Sequence, residues 1–125
     1  MILTNHSSER ARLSSEGAGR FRLEGEVNFD TVMHLLHASH DLFEVEERVR
    51  LDFSGVERIN SAGLALVIEW LREVRRESRT LEISNPPEGL MAMARICDVE
   101  DLIQKLLSPV RSTGTAQSPA SPDKL

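Results

Sequence analysis

The chain has 125 residues, 40% hydrophobic and only 4% aromatic, which bounds it to one domain with a two- or three-layer core. Its net charge is −5, and its 15 basic residues are interspersed with 20 acidic ones rather than gathered in a stripe, which disfavours nucleic acid or an anionic membrane surface as a direct partner. The single cysteine, Cys97, excludes a disulfide framework and an intrachain thiolate metal cluster.

Residues 1–10 are polar and are expected to form a flexible N-terminus. MILTNHSSER has no sustained apolar stretch after a basic segment, and no run in the chain approaches the ~20 apolar residues of a spanning helix. A cytoplasmic protein without direct membrane insertion is expected. ARLSSEG and GRFRLEGEV then read as two strands joined through Gly17 and Gly19, because Phe21, Leu23 and Val27 alternate with Arg22, Glu24 and Glu26. In NFDTVMHLLHASHDLFE the period changes. Phe29, Val32, Met33, Leu36, His40 and Phe43 recur at helical spacing and predict the apolar side of a helix capped by Asn28 or Asp30. His37 and His40 are spaced for a metal pair, but no third ligand position accompanies them and no His-Glu-x-x-His pattern occurs. His40 is therefore expected to be a packing residue, His34 and His37 surface ones, and no metal or other cofactor is expected.

RVRLDFSGV follows as a strand through the middle of a sheet, with Val49, Leu51 and Phe53 on one side. TLEISN is another strand, over Thr80 to Ser84. Pro86 and Pro87 end it, and Pro87 suits the first turn of a short helix whose apolar side is Leu90, Met93, Ala94 and Cys97. In that setting Cys97 is expected to be a buried small hydrophobe. DVEDLIQKLLS closes the fold with Val99, Leu102, Ile103, Leu106 and Leu107. From Ser108 the composition shifts to SPVRSTGTAQSPASPDKL, which has little to bury and is expected to be a disordered tail. Alternating strands and helices over residues 11–107 indicate an α/β domain with a small mixed sheet.

The segment VERINSAGLALVIEWL carries the functional question. Asn60 is a good N-cap for a helix beginning at Ser61. Gly63 costs roughly 0.8 to 1 kcal/mol against alanine inside a helix. It allows close approach either of a partner or of a neighbouring element of the same fold. Leu64, Val67, Ile68, Leu71 and Val74 fall in one arc and form the core stripe. Ala62, Leu66 and Trp70 lie on a different side beside Glu69, Glu73 and Glu77, and read as an interface anchor on an exposed face. The competing reading folds Trp70 back over the sheet edge. Ser54 and Ser61 have no histidine nearby in sequence, and neither Gly-x-x-x-x-Gly-Lys-Ser/Thr nor Gly-x-Gly-x-x-Gly is present, so neither catalysis nor nucleotide binding is indicated.

LDFSGVERINSAGLALVIEWL resembles the signature of the STAS domain family, small domains found as bacterial anti-sigma-factor antagonists and as sulfate-transporter tails. The matching positions are Asp52-Phe53-Ser54-Gly55-Val56, Ile59, Asn60, Ser61-Ala62 and Gly63-Leu64. The resemblance implies a mixed sheet with helices mainly on one face, and a non-catalytic protein. In the antagonists a serine immediately before the glycine is phosphorylated; that position is Ala62 here, so no phosphorylation of that kind is expected. SAGLALVIEWL is most similar to the MlaB-like stand-alone subunits of the Mla phospholipid-transport ABC system. That likeness implies an accessory subunit on a MlaF-like ABC transporter ATPase in a complex with its permease, peripheral to the inner membrane. It would maintain outer-membrane lipid asymmetry, with Asn60, Ser61, Ala62, Gly63, Leu66 and Trp70 at the contact. The alternative is an anti-sigma-factor antagonist acting by partner switching.

Overall fold

A computed structural model describes residues 10–107. Its elements in chain order are β1 (Ala11–Gly17), β2 (Arg20–Val27), α1 (Val32–Phe43), β3 (Arg48–Ile59), α2 (Ser61–Arg76), β4 (Thr80–Ser84), α3 (Glu88–Ile96) and α4 (Glu100–Leu106). The expectations for residues 1–9 and for the tail from Ser108 lie outside the described residues.

Two glycines let the first strands turn back on each other. Gly17, Ala18 and Gly19 all have positive φ, a conformation that costs a glycine little. The strands then lie in the order β1-β2-β3-β4, with β1 and β2 antiparallel and both β2–β3 and β3–β4 parallel. Each parallel pair needs a crossover, supplied by α1 and then by α2. Crossovers of one hand that step across the sheet in one direction deposit their helices on the same face. All four helices accordingly pack on one face of the four-stranded mixed sheet.

Alternation along the strands matches this arrangement. Leu13, Phe21, Leu23, Val49, Leu51, Phe53, Leu81 and Ile83 point into the helical layer and are buried. The intervening positions form a charged outer face, as expected of a sheet covered on one side. There Arg22 spans β2 and β3, bonding through Nε to Glu24 at 3.1 Å and through Nη1 to Ser54 at 3.0 Å, with Asp52 at 3.5 Å. Partial burial alone would raise the Asp52 carboxyl. Hydrogen bonds from Asn85 and Ser54, with Arg22 beside them, outweigh it and hold Asp52 below the ordinary aspartate range.

The first helix differs from its expected orientation. Leu35, Ser39 and Phe43 are its buried line, with Val32 and Leu36 partly covered. Phe29 and Met33 are 72% and 55% exposed, and His40 lies at the surface, 3.2 Å from Glu73 of α2. The helix starts after Thr31 rather than from an Asn28 or Asp30 cap. Asn28 instead closes a turn ahead of it, accepting from the Asp30 N–H at 2.9 Å. Cys97, expected in the core, is exposed just beyond α3, whose buried residues are Leu90 and Ala94.

Candidate partner-binding surface

The α2 helix begins as its sequence dictates. Asn60 is extended, and its Oδ1 accepts from the Ala62 N–H at 2.9 Å, which satisfies one of the orphan donors of the first turn. The Asn60 N–H donates to the Val27 carbonyl at 3.2 Å and fixes the turn against the end of β2. Gly63 owes its identity to this fold. A Cβ there would stand 2.3 Å from Cγ1 of Ile59 and 3.1 Å from Cγ1 of Val27, so glycine permits close packing of the helix on the strand ends.

The expected exposed face of α2 is buried. Trp70 has no exposed surface, and Leu66 and Ala62 retain only 4% and 5% of theirs. The Trp70 indole N–H donates to Ser39 Oγ at 2.8 Å, and that hydroxyl donates to the Leu36 carbonyl at 2.7 Å. Phe43 packs between Trp70 and Phe21, with ring centroids at 5.5 and 4.9 Å. The physical reason is position. Contacts with α1 on one side, α3 on the other and the sheet beneath widen the buried arc of α2 beyond a single stripe. Trp70 therefore seals the α1–α2 seam, and Leu66 is buried with it instead of lying on an exposed face.

Besides Arg75 and Arg76 in its last turn, α2 leaves Ser61, Ala65 and Arg72 to solvent, with Ile68 half-buried beside them, at spacings of four, three and four. This line begins at the Asn60 turn. The α1 and α2 helices both start from the same end of the sheet, and the Ser39–Trp70 and His40–Glu73 contacts set their register. Two helical turns back from His40 and Glu73, Met33 and Leu66 lie level. Exposed Met33 and Phe29 thus stand at the same rim as Ser61 and Ala65. Of the residues expected at a contact, Ser61 is open and Asn60 half-buried. Ala62, Gly63, Leu66 and Trp70 are interior.

Sequence reasoning missed Phe29, Met33, Ala65 and Ile68. The available signal for the last two was the remainder of the helical wheel once Leu66 and Trp70 are assigned inward. For Phe29 and Met33 no local signal existed, since they share helical spacing with Leu36 and Phe43.

Among the described residues, no group of three or more His, Cys, Asp or Glu side chains is arranged to hold a metal ion, and no helix is long and apolar enough to cross a membrane. A family model described as Mlab, STAS domain, matches residues 11–107. The chain belongs to the STAS domain family. A search of curated proteins by sequence finds no match. Among solved structures, the STAS domain is similar to the unphosphorylated anti-sigma factor antagonist SpoIIAA, with a TM-score of 0.61 and 14% identity over 82% of this chain and 89% of that one. It is equally similar to the phosphorylated Bacillus cell fate determinant SpoIIAA, with a TM-score of 0.61 and 14% identity over 82% and 92% of the two chains. At that identity the likeness concerns the fold. STAS membership makes the chain a non-catalytic domain.

Proposed function

We propose that this STAS domain regulates a protein partner by binding it at the rim where α1 and α2 begin. The observation that carries the reading is the exposure of Phe29 and Met33 beside the Ser61–Ala65 line. Two large apolar side chains open to water at one rim cost solvation that a partner would recover. Small residues next to them allow a backbone to come close.

The fold shared with the antagonist SpoIIAA supports an anti-sigma factor as the partner, released by exchange between partners. Ala62, which occupies the position of the antagonists' phosphoserine, has no hydroxyl and is 5% exposed. Exchange would then be driven by something other than phosphorylation at that position. The second reading is supported by the description of the family model that matches. In it the chain is a cytoplasmic accessory subunit of a phospholipid-transport ABC complex, held to the inner membrane through a MlaF-like ATPase and its permease.

Co-purification of the full chain from its native cells, with identification of the bound protein, separates the two. An anti-sigma factor with a serine-kinase fold supports the first, and an ABC ATPase the second. The Ser61→Arg variant, which places a large cation on the open rim, should lose either partner while keeping its far-UV spectrum. A Ser61→Arg chain that keeps its partner would refute the proposed surface.

A further inference from the structure

The rim that carries Phe29 and Met33 is also where the chain enters the domain. Because β1 and β2 are antiparallel, the start of β1 lies beside the end of β2, with Ala11 opposite Gly25. Extended upstream, that register leads past Val27 toward the turn that carries Phe29. Two contacts fix the entry point. The Arg10 carbonyl rests against Gly25, where a Cβ would overlap it, and the Arg10 guanidinium lies 3.8 Å from the Asp30 carboxylate. That ion pair is exposed, so it marks a position more than it adds stability. Asp30 follows Phe29 directly in the sequence, and residues 1–9 therefore depart from beside the exposed Phe29.

The chemistry of those residues matches what stands open there. They read MILTNHSSE, an apolar cluster of Met1, Ile2 and Leu3 followed by a polar spacer of six residues, Thr4 to Glu9. A spacer of that length extends about 20 Å, enough to return over the turn from its attachment at Arg10. Tethered so close, the cluster meets the rim at an effective concentration on the order of millimolar. Phe29 and Met33 offer it two large apolar side chains exposed to water.

We infer that Met1, Ile2 and Leu3 fold back onto Phe29 and Met33 and cover the docking rim when no partner is bound. The inference rests on the proposed docking rim. It makes the first residues of the chain an intramolecular competitor of the partner. A partner reaches the apolar surface only by displacing them, and its apparent affinity is weakened in proportion to the fraction of chains in the open form.

The test uses the full chain and needs no partner. Protein labelled with ¹³C at the methyl groups of Met, Ile and Leu is examined by NMR, and nuclear Overhauser contacts from the Met33 methyl group are assigned. Contacts to the methyl groups of Ile2 or Leu3 are expected, and they should be lost in Ile2→Ser/Leu3→Ser. In that variant the Met33 resonance should move while those of Met91 and Met93 stay in place, reporting an intact fold. Absence of any contact from Met33 to Ile2 or Leu3 would overturn the inference. Contacts that arise only between differently labelled copies would overturn it too, since the occupant would then be a second chain. None of those outcomes decides the docking rim itself, which stands or falls on whether Ser61→Arg releases the partner.

Discussion

The hydrogen bond between Trp70 and Ser39 offers a sharp test of how the helical layer is held. Both residues are buried, and Ser39 Oγ is 2.8 Å from the indole nitrogen. Ser39→Ala strands that N–H in an apolar seam, which costs about 1–3 kcal/mol. Alanine returns roughly half a kcal/mol through helix propensity. The net loss should be about 1–2 kcal/mol. In a Trp70→Phe background the donor is gone, while the Ser39 hydroxyl still bonds to the Leu36 carbonyl. There Ser39→Ala should change stability by less than about 0.5 kcal/mol, giving a coupling energy near 1 kcal/mol. Urea unfolding of the four proteins, followed by far-UV circular dichroism, measures it. An equal cost of Ser39→Ala in both backgrounds would refute the buried bond.

Gly63→Ala gains helix propensity but drives a methyl group into Ile59, and should destabilise by about 1–2 kcal/mol in thermal unfolding. A stabilised variant would mean that the strand ends yield easily. Asn60→Ala should cost about 1 kcal/mol through loss of the cap, whereas Asn60→Asp, which keeps an accepting oxygen, should unfold at an unchanged or higher temperature. Equal losses for both would remove the cap from the account. Because the Asp52 carboxyl is held below its unfolded value, its contribution is present above pH ~3.9 and disappears as pH falls through the lowered folded value. Asp52→Asn should therefore flatten the acid limb of the stability profile below about pH 4, and an unchanged limb would contradict the Asn85–Ser54–Arg22 network.

The order and type of the elements were legible because each obeys a strong local rule. Alternation in RFRLEGEV and RVRLDF separates an inner apolar row from an outer charged one, and Asn60 announces the start of α2. The direction in which each helix faces was less legible. α1 hides a serine and exposes Met33, with Phe29 exposed just ahead of it, because Ser39 is claimed by an indole 31 positions away in sequence. Trp70 looked like an anchor on an exposed face because periodicity sees one buried stripe, and a helix with neighbours on both sides has a broader one. The glycine ambiguity was settled in the same way. Ile59 and Val27 reach Gly63 only once the strand ends and the helix start are brought together. At the candidate surface, Asn60 and Ser61 were readable from the turn, whereas Phe29 and Met33 depended on the placement of α1.

The central claim is that a partner rests on Phe29 and Met33 rather than on Trp70. The most direct measurement compares the affinity of the purified partner for the wild-type chain and for Phe29→Ser/Met33→Ser, alongside their unfolding midpoints. Loss of at least about tenfold in Kd at an unchanged midpoint is the predicted result. Full affinity in a folded double variant would contradict it.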